Sequence, residues 1–107
     1  MKFPKPKKVK QGIIIRKKDK EFSLKVRELG YCQLKGKDKI RCSEVLQCAH
    51  IVGRANRRLR WDIWNALCIC AGHHWWYTNN PESWRDIIER EFPVSWRYIN
   101  EHRNEIK

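Results

Sequence analysis

The sequence has no long apolar run, and no basic N-terminal segment leads into a hydrophobic stretch closed by small residues. Neither a signal peptide nor a membrane span is therefore expected. No internal repeat is visible either. Acidic side chains are scarce, 12 Asp and Glu against 24 Lys and Arg, and the formal charge is +12. Such an imbalance speaks about partners rather than fold, and it favours a polyanion. Length is short as well: 107 residues make about one small domain, which buries a modest share of its surface and calls for a staple.

The chain holds five cysteines and four histidines. With no secretion signal the expected compartment is reducing, and there cysteines set near histidines read as a metal site before they read as disulfides. The basic excess is uneven. Residues 1–20 hold nine Lys and Arg against one Asp, with two prolines and little core-forming pattern, and are expected to be a flexible basic tail. Residues 21–107 are expected to be the folded domain, with Arg54, Arg57, Arg58 and Arg60 as its local basic cluster.

Phe22, Val26 and Leu29 at helical spacing, followed by Gly30, predict a short helix over Glu21–Leu29. "YCQLKGKDKIRC" suits a turn hung between Cys32 and Cys42. "EVLQCAHI" and "NALCIC" read as two strands of a hairpin around a polar loop, and "AGHHWWYTNN" as a helix carrying both histidines in its first turn. Asn80-Pro81 signals another helix start, with Trp84, Ile87, Ile88 and Phe92 at amphipathic spacing. After Pro93, a last helix places Trp96, Ile99, Arg103 and Ile106 along one face.

A structural zinc needs four ligands in a tetrahedron, usually offered as pairs from two turns. Cys70 and His73, with two residues between them, make one pair, and Cys32 with Cys42 makes the other if the turn between them brings the sulfurs together. Cys48 and Cys68 stay open as rivals, since Cys68 and Cys70 share a side of an alternating strand. The bland alternative is that they are small buried hydrophobes.

His50, Asn65 and His74 fall at the end of the first strand, just before the second, and on the following helix, so a hairpin can gather all three. Phosphodiester hydrolysis needs a base, a cation and a group that orients the base. "QCAHI" together with "RWDIWNALCICAGHHWWYTNNP" resembles the HNH endonuclease motif, over about Tyr31–Pro81. The resemblance implies a small ββα-metal finger with a zinc knuckle, which together with the N-terminal helix and two C-terminal helices read from the sequence makes an α+β fold. It further implies His50 as general base, Asn65 as the residue that holds the His50 loop, and His74 as ligand of a catalytic divalent cation, whether Mg2+, Mn2+, Ni2+ or Zn2+. His73 would then face the structural zinc.

The match has departures. Ala49 stands where family members often place a further metal ligand, and Thr78 stands where some add a second histidine. Asp62 is the nearest carboxylate in sequence that can substitute, its plainer role being a cap or an ion pair with Arg58 or Arg60. The four loop arginines would grip phosphate oxygens, giving affinity without sequence and a strong salt dependence. Most of the six tryptophans are expected in the core. The expected function is metal-dependent cleavage of duplex or branched DNA, in the cytoplasm of a bacterial host if the chain is phage-encoded. The alternatives are a non-catalytic zinc-knuckle DNA-binding module and an RNA-binding protein.

Overall fold

In the computed structural model the described residues are 8–105, and they form an α+β fold. The order is α1 (Lys8–Arg27), β1 (Leu46–His50), a 3-10 turn (Ile63–Asn65), β2 (Ala66–Cys70), α2 (Ala71–Thr78), α3 (Pro81–Glu91) and α4 (Pro93–His102). The two strands pair antiparallel with Leu46 opposite Cys70 and His50 opposite Ala66, so the hairpin loop spans everything from Ile51 to the 3-10 turn.

The expected break at residue 20 is corrected. Residues 1–7 lie outside the described residues, but α1 runs unbroken from Lys8 through Arg27. Three adjacent β-branched residues, Ile13 to Ile15, hide the helical period in the sequence, and all three are exposed. What docks the helix is a stripe beginning at Asp19 and continuing through Phe22, Ser23, Val26 and Arg27, the spacing of one helix face. Phe22 and Val26 bury against Ala66 and Cys68, with Leu46, Cys48 and Trp61 alongside. Gly30 stops the helix at φ +81°, a conformation that side chains with a Cβ rarely adopt.

The opposite side of the hairpin carries the larger core, in which Ala49, Leu67 and Ile69 meet Tyr77 from α2 and Ile87 and Ile88 from α3. The cysteine turn docks on the edge of β2: the Gln33 amide N–H donates to the Cys68 carbonyl at 2.8 Å, and the Cys68 N–H donates to Gln33 Oε1 at 2.8 Å. Tertiary pairing thus fixes Cys32, which periodicity could not place.

Asn80-Pro81 does start α3 with proline at the first position, yet the Asn80 side chain makes no cap bond there. Its amide instead donates to the Trp76 carbonyl at 2.8 Å and closes α2. Pro93 both ends α3 and opens α4, because its ring fixes φ and its missing N–H costs nothing at a first helical position. The last helix stops at His102, so Arg103 is its C-cap rather than part of its face, and Ile106 lies outside the described residues. Four of the tryptophans are at least partly buried, whereas Trp75 and Trp64 are exposed. No helix among the described residues is long and apolar enough to cross a membrane.

Candidate metal centre and histidine cleft

Cys32, Cys42, Cys70 and His73 bring one donor atom each to within 4.8 Å of one another. Sulfur-to-Nδ1 distances are 3.7 Å for Cys32, 3.7 Å for Cys42 and 2.9 Å for Cys70. Zinc bonds of about 2.3 Å to sulfur and about 2.0 Å to nitrogen give tetrahedral edges of roughly 3.5 Å, so this Cys3His set can hold such an ion. Cys70 is the N-cap of α2 and accepts the His73 N–H, which puts cap and imidazole on one turn. Burial pushes the Cys70 thiol up, but the His73 N–H and ring and the bonds from Ser43 outweigh it and bring it to about 6. Burial, with Cys32 beside it, pushes Cys42 up to about 12. Gly72 permits the close approach of the cysteine turn, because a Cβ there would lie 3.3 Å from the Arg41 carbonyl oxygen.

The second nitrogen of His73 is not idle. Nε2 meets Asp38 Oδ1 at 2.8 Å, and Asp38 Oδ2 accepts the Tyr77 hydroxyl at 2.6 Å. A carboxylate behind a ligating histidine fixes the ring and the tautomer. Sequence reading missed Asp38, although it is the one acidic residue between Cys32 and Cys42 and that fact could have pointed to it.

Cys48 and Cys68 stay out of the cluster. Strand alternation puts Cys68 on the same side as Cys70, but Cys70 turns away with α2 while Cys68 packs under α1 beside Phe22. Cys48 sits directly opposite Cys68 in the hairpin.

His50 and His74 line one cleft of about 220 Å³, together with Ala49, Tyr77, Thr78 and Trp84. The His50 ring lies 5.6 Å from the Phe22 ring, and its Nε2 donates to the Arg60 carbonyl oxygen at 2.8 Å. A carbonyl only accepts, so the proton sits on Nε2 and Nδ1 keeps its lone pair. Burial lowers the His50 pKa below that of free imidazole, and the neighbouring Arg54 lowers it further. His74 donates from Nδ1 to Gln47 Oε1 at 2.7 Å, leaving Nε2 with the lone pair. Burial lowers its pKa too, with His50 as the second cause. Gln47, on β1, was also missed; nothing in its sequence surroundings marks it.

Asn65 is fully buried. Its Oδ1 accepts the Val52 N–H at 2.8 Å, and its Nδ2 donates to the Val52 and Leu59 carbonyls at 2.9 and 3.0 Å. One side chain therefore braces both ends of the loop that starts after His50 and returns with the Arg60 carbonyl.

Of the two readings of Asp62 the plainer one fits, and the expected arginine cluster is corrected. Asp62 does not line the cleft. Its carboxylate accepts from the Tyr98 hydroxyl at 2.6 Å, the Trp64 N–H at 3.0 Å and Arg58 at 3.3 Å, so it is a cap and an ion-pair partner. The four arginines do not act as one cluster either. Arg58 pairs with Asp62 and Glu105, and Arg60 with Asp19, so both guanidiniums staple the loop to the rest of the chain. Arg54 lies 3.6 Å from Asp19 with its side chain largely in solvent, and Arg57 is exposed with no ion pair among the described residues. Thr78 donates its hydroxyl to the His74 carbonyl at 2.7 Å. Beyond the Cys3His set, no group of three or more His, Cys, Asp or Glu side chains gathers among the described residues. Comparison with family models, with curated proteins and with solved structures finds no match in any of the three.

Proposed function

We propose that the chain is a metal-dependent DNA endonuclease of the HNH class, a ββα-metal finger rigidified by a structural zinc. The observation that carries this reading is the pairing of His50 and His74 in one cleft, each with one ring nitrogen anchored and the other left with its lone pair. In this reading His50 Nδ1 takes the proton from the water that attacks phosphorus, as the P–O bond to the leaving oxygen breaks. Its lowered pKa keeps it unprotonated near neutral pH. Asn65 holds the loop that orients it. His74 Nε2 is the protein ligand for a divalent cation, Mg2+, Mn2+, Ni2+ or Zn2+, which supplies positive charge for the phosphate and leaving oxygens. Arg54 and Arg57 remain available for phosphate oxygens, and the overall charge of +12 favours the polyanion.

One observation favours a second reading, a DNA-binding module without catalysis. Ala49 is buried in the cleft where another ligand would serve, and no further carboxylate or imidazole among the described residues lines it. Incubation of supercoiled plasmid with Mg2+, Mn2+ or Ni2+ separates the two. The nuclease reading expects nicking by the wild type and none by His50→Ala; DNA binding without nicking in either protein would favour the module.

A further inference from the structure

The histidine cleft does not end at Trp84. Ile51, Pro81 and Trp84 are shared with a second depression of about 370 Å³, which continues between α3, α4 and the chain leaving β1. Arg85 from α3 and Arg103 from the end of α4 line it, with Trp96 and Asn100 in the wall, and no carboxylate among the described residues does. The Arg85 guanidinium sits 5.9 Å from the Trp96 ring centroid, within the range in which a cation is held by an aromatic face. Arg103 is anchored through its main chain: its N–H donates to the Ile99 carbonyl at 2.8 Å and its carbonyl accepts Asn56 Nδ2 at 2.8 Å.

The contrast with the hairpin-loop arginines decides what these two are for. Arg58 and Arg60 are neutralised by carboxylates of this chain. Among the described residues Arg85 and Arg103 have no ion pair, and they line the same concave surface, which shares Ile51, Pro81 and Trp84 with the histidine cleft. A DNA strand repeats its negative charge about every 3.4 Å of helix axis, so a groove that accepts one phosphate must accommodate its neighbour as well. Guanidiniums are suited to that task because they offer paired N–H donors to phosphate oxygens.

We propose that this depression is the subsite for the phosphodiester adjacent to the scissile one, with Arg85 and Arg103 as its ligands. The inference rests on the nuclease reading for the position of the cut, but its test reads binding. In a His50→Ala background, polarisation of a labelled duplex is followed across a salt series. Arg85→Ala with Arg103→Ala is expected to weaken binding and to lower the slope of log K against log salt by about 1 for the lost phosphate contact. Lys39→Ala with Arg97→Ala removes equal charge away from the depression and is expected to leave most of that slope in place. In the cutting-competent chain the first pair is expected to raise KM with little change in kcat.

Equal slopes for the two double variants would overturn the subsite while leaving the nuclease reading intact. Dependence on Arg85 and Arg103 without cleavage by any protein would uphold the phosphate subsite and sink the nuclease. A chain with no affinity for DNA would overturn both.

Discussion

Asp19 clamps Arg60. Its two carboxylate oxygens receive Nε at 2.9 Å and Nη2 at 2.6 Å, and Trp61 Nε1 adds a third bond at 2.8 Å. The same residue 60 offers its main-chain carbonyl to His50. An acidic side chain on α1 thus fixes, through one residue, the orientation of the proposed base.

Asp19→Ala is expected to lower kcat by roughly 10- to 100-fold with KM little changed, because small misplacements of a reacting group cost that much. Asp19→Glu should restore part of the loss, which a purely structural defect at this position would not predict. The Asp19 carboxyl is held down to about 2, chiefly by its bond to Arg60. A depressed folded-state value means that the stabilisation is complete above the unfolded value of about 4 and fades as pH falls through the folded one. Thermal melts of wild type and Asp19→Ala are therefore expected to differ at neutral pH and to converge towards pH 2.

Removing the loop brace has a different signature. Asn65→Ala leaves the Val52 N–H and two carbonyls without their partner in a fully buried place. Each such orphaned group costs about 1–3 kcal/mol, so a loss of about 2 kcal/mol or more is expected in denaturant unfolding. His50→Ala removes a half-buried ring that makes one such bond, and is expected to cost cleavage far more than stability. If the two variants lost stability equally, His50 would be a structural residue.

Burial lowers the pKa of His50, and its first polar partner is a carbonyl rather than a carboxylate. The acid limb of the pH–rate profile is accordingly expected below the free-imidazole value of about 6.5. Stability moves with the same sign. A histidine whose folded pKa is depressed contributes stability above about 6.5 that is lost as acidification protonates the unfolded chain first. His50→Ala should flatten that part of the stability curve. A rate limb well above 6.5 would assign the proton transfer to another group.

The α+β architecture, the order of strands and C-terminal helices, and the Cys3His set were legible because each rests on local signals: hairpin strands, a first-turn proline, a Cys-x2-His pair. What the sequence concealed is tertiary. The docking of α1 rests in part on Asp19 reaching Arg60 across forty-one positions, and neither residue carries a local mark of that contact. Arg58 and Arg60 looked like phosphate ligands because a run of arginines reads as one basic patch, while the carboxylates that neutralise them lie at Asp19 and Glu105. Gln47 stands 2.7 Å from His74 although twenty-seven positions separate them.

The metal centre gives the last test, and Asp38 is its most informative residue. Ligand replacement, as in Cys70→Ser, is expected to remove zinc and cooperative folding together, since metal binding and folding are linked in small sites. Asp38→Asn leaves all four donors in place and changes the partner of His73 Nε2, of the Tyr77 hydroxyl and of the Ile40 N–H. Loss of such a supporting carboxylate typically weakens metal affinity about 10- to 100-fold, so competition with a chromophoric chelator should show tighter zinc in wild type than in Asp38→Asn. Cys48→Ala and Cys68→Ala should leave zinc stoichiometry unchanged, because both side chains belong to the α1 side of the hairpin. Zinc lost from Cys68→Ala but kept by Asp38→Asn would mean that the set closing around the ion is not the one formed by Cys32, Cys42, Cys70 and His73.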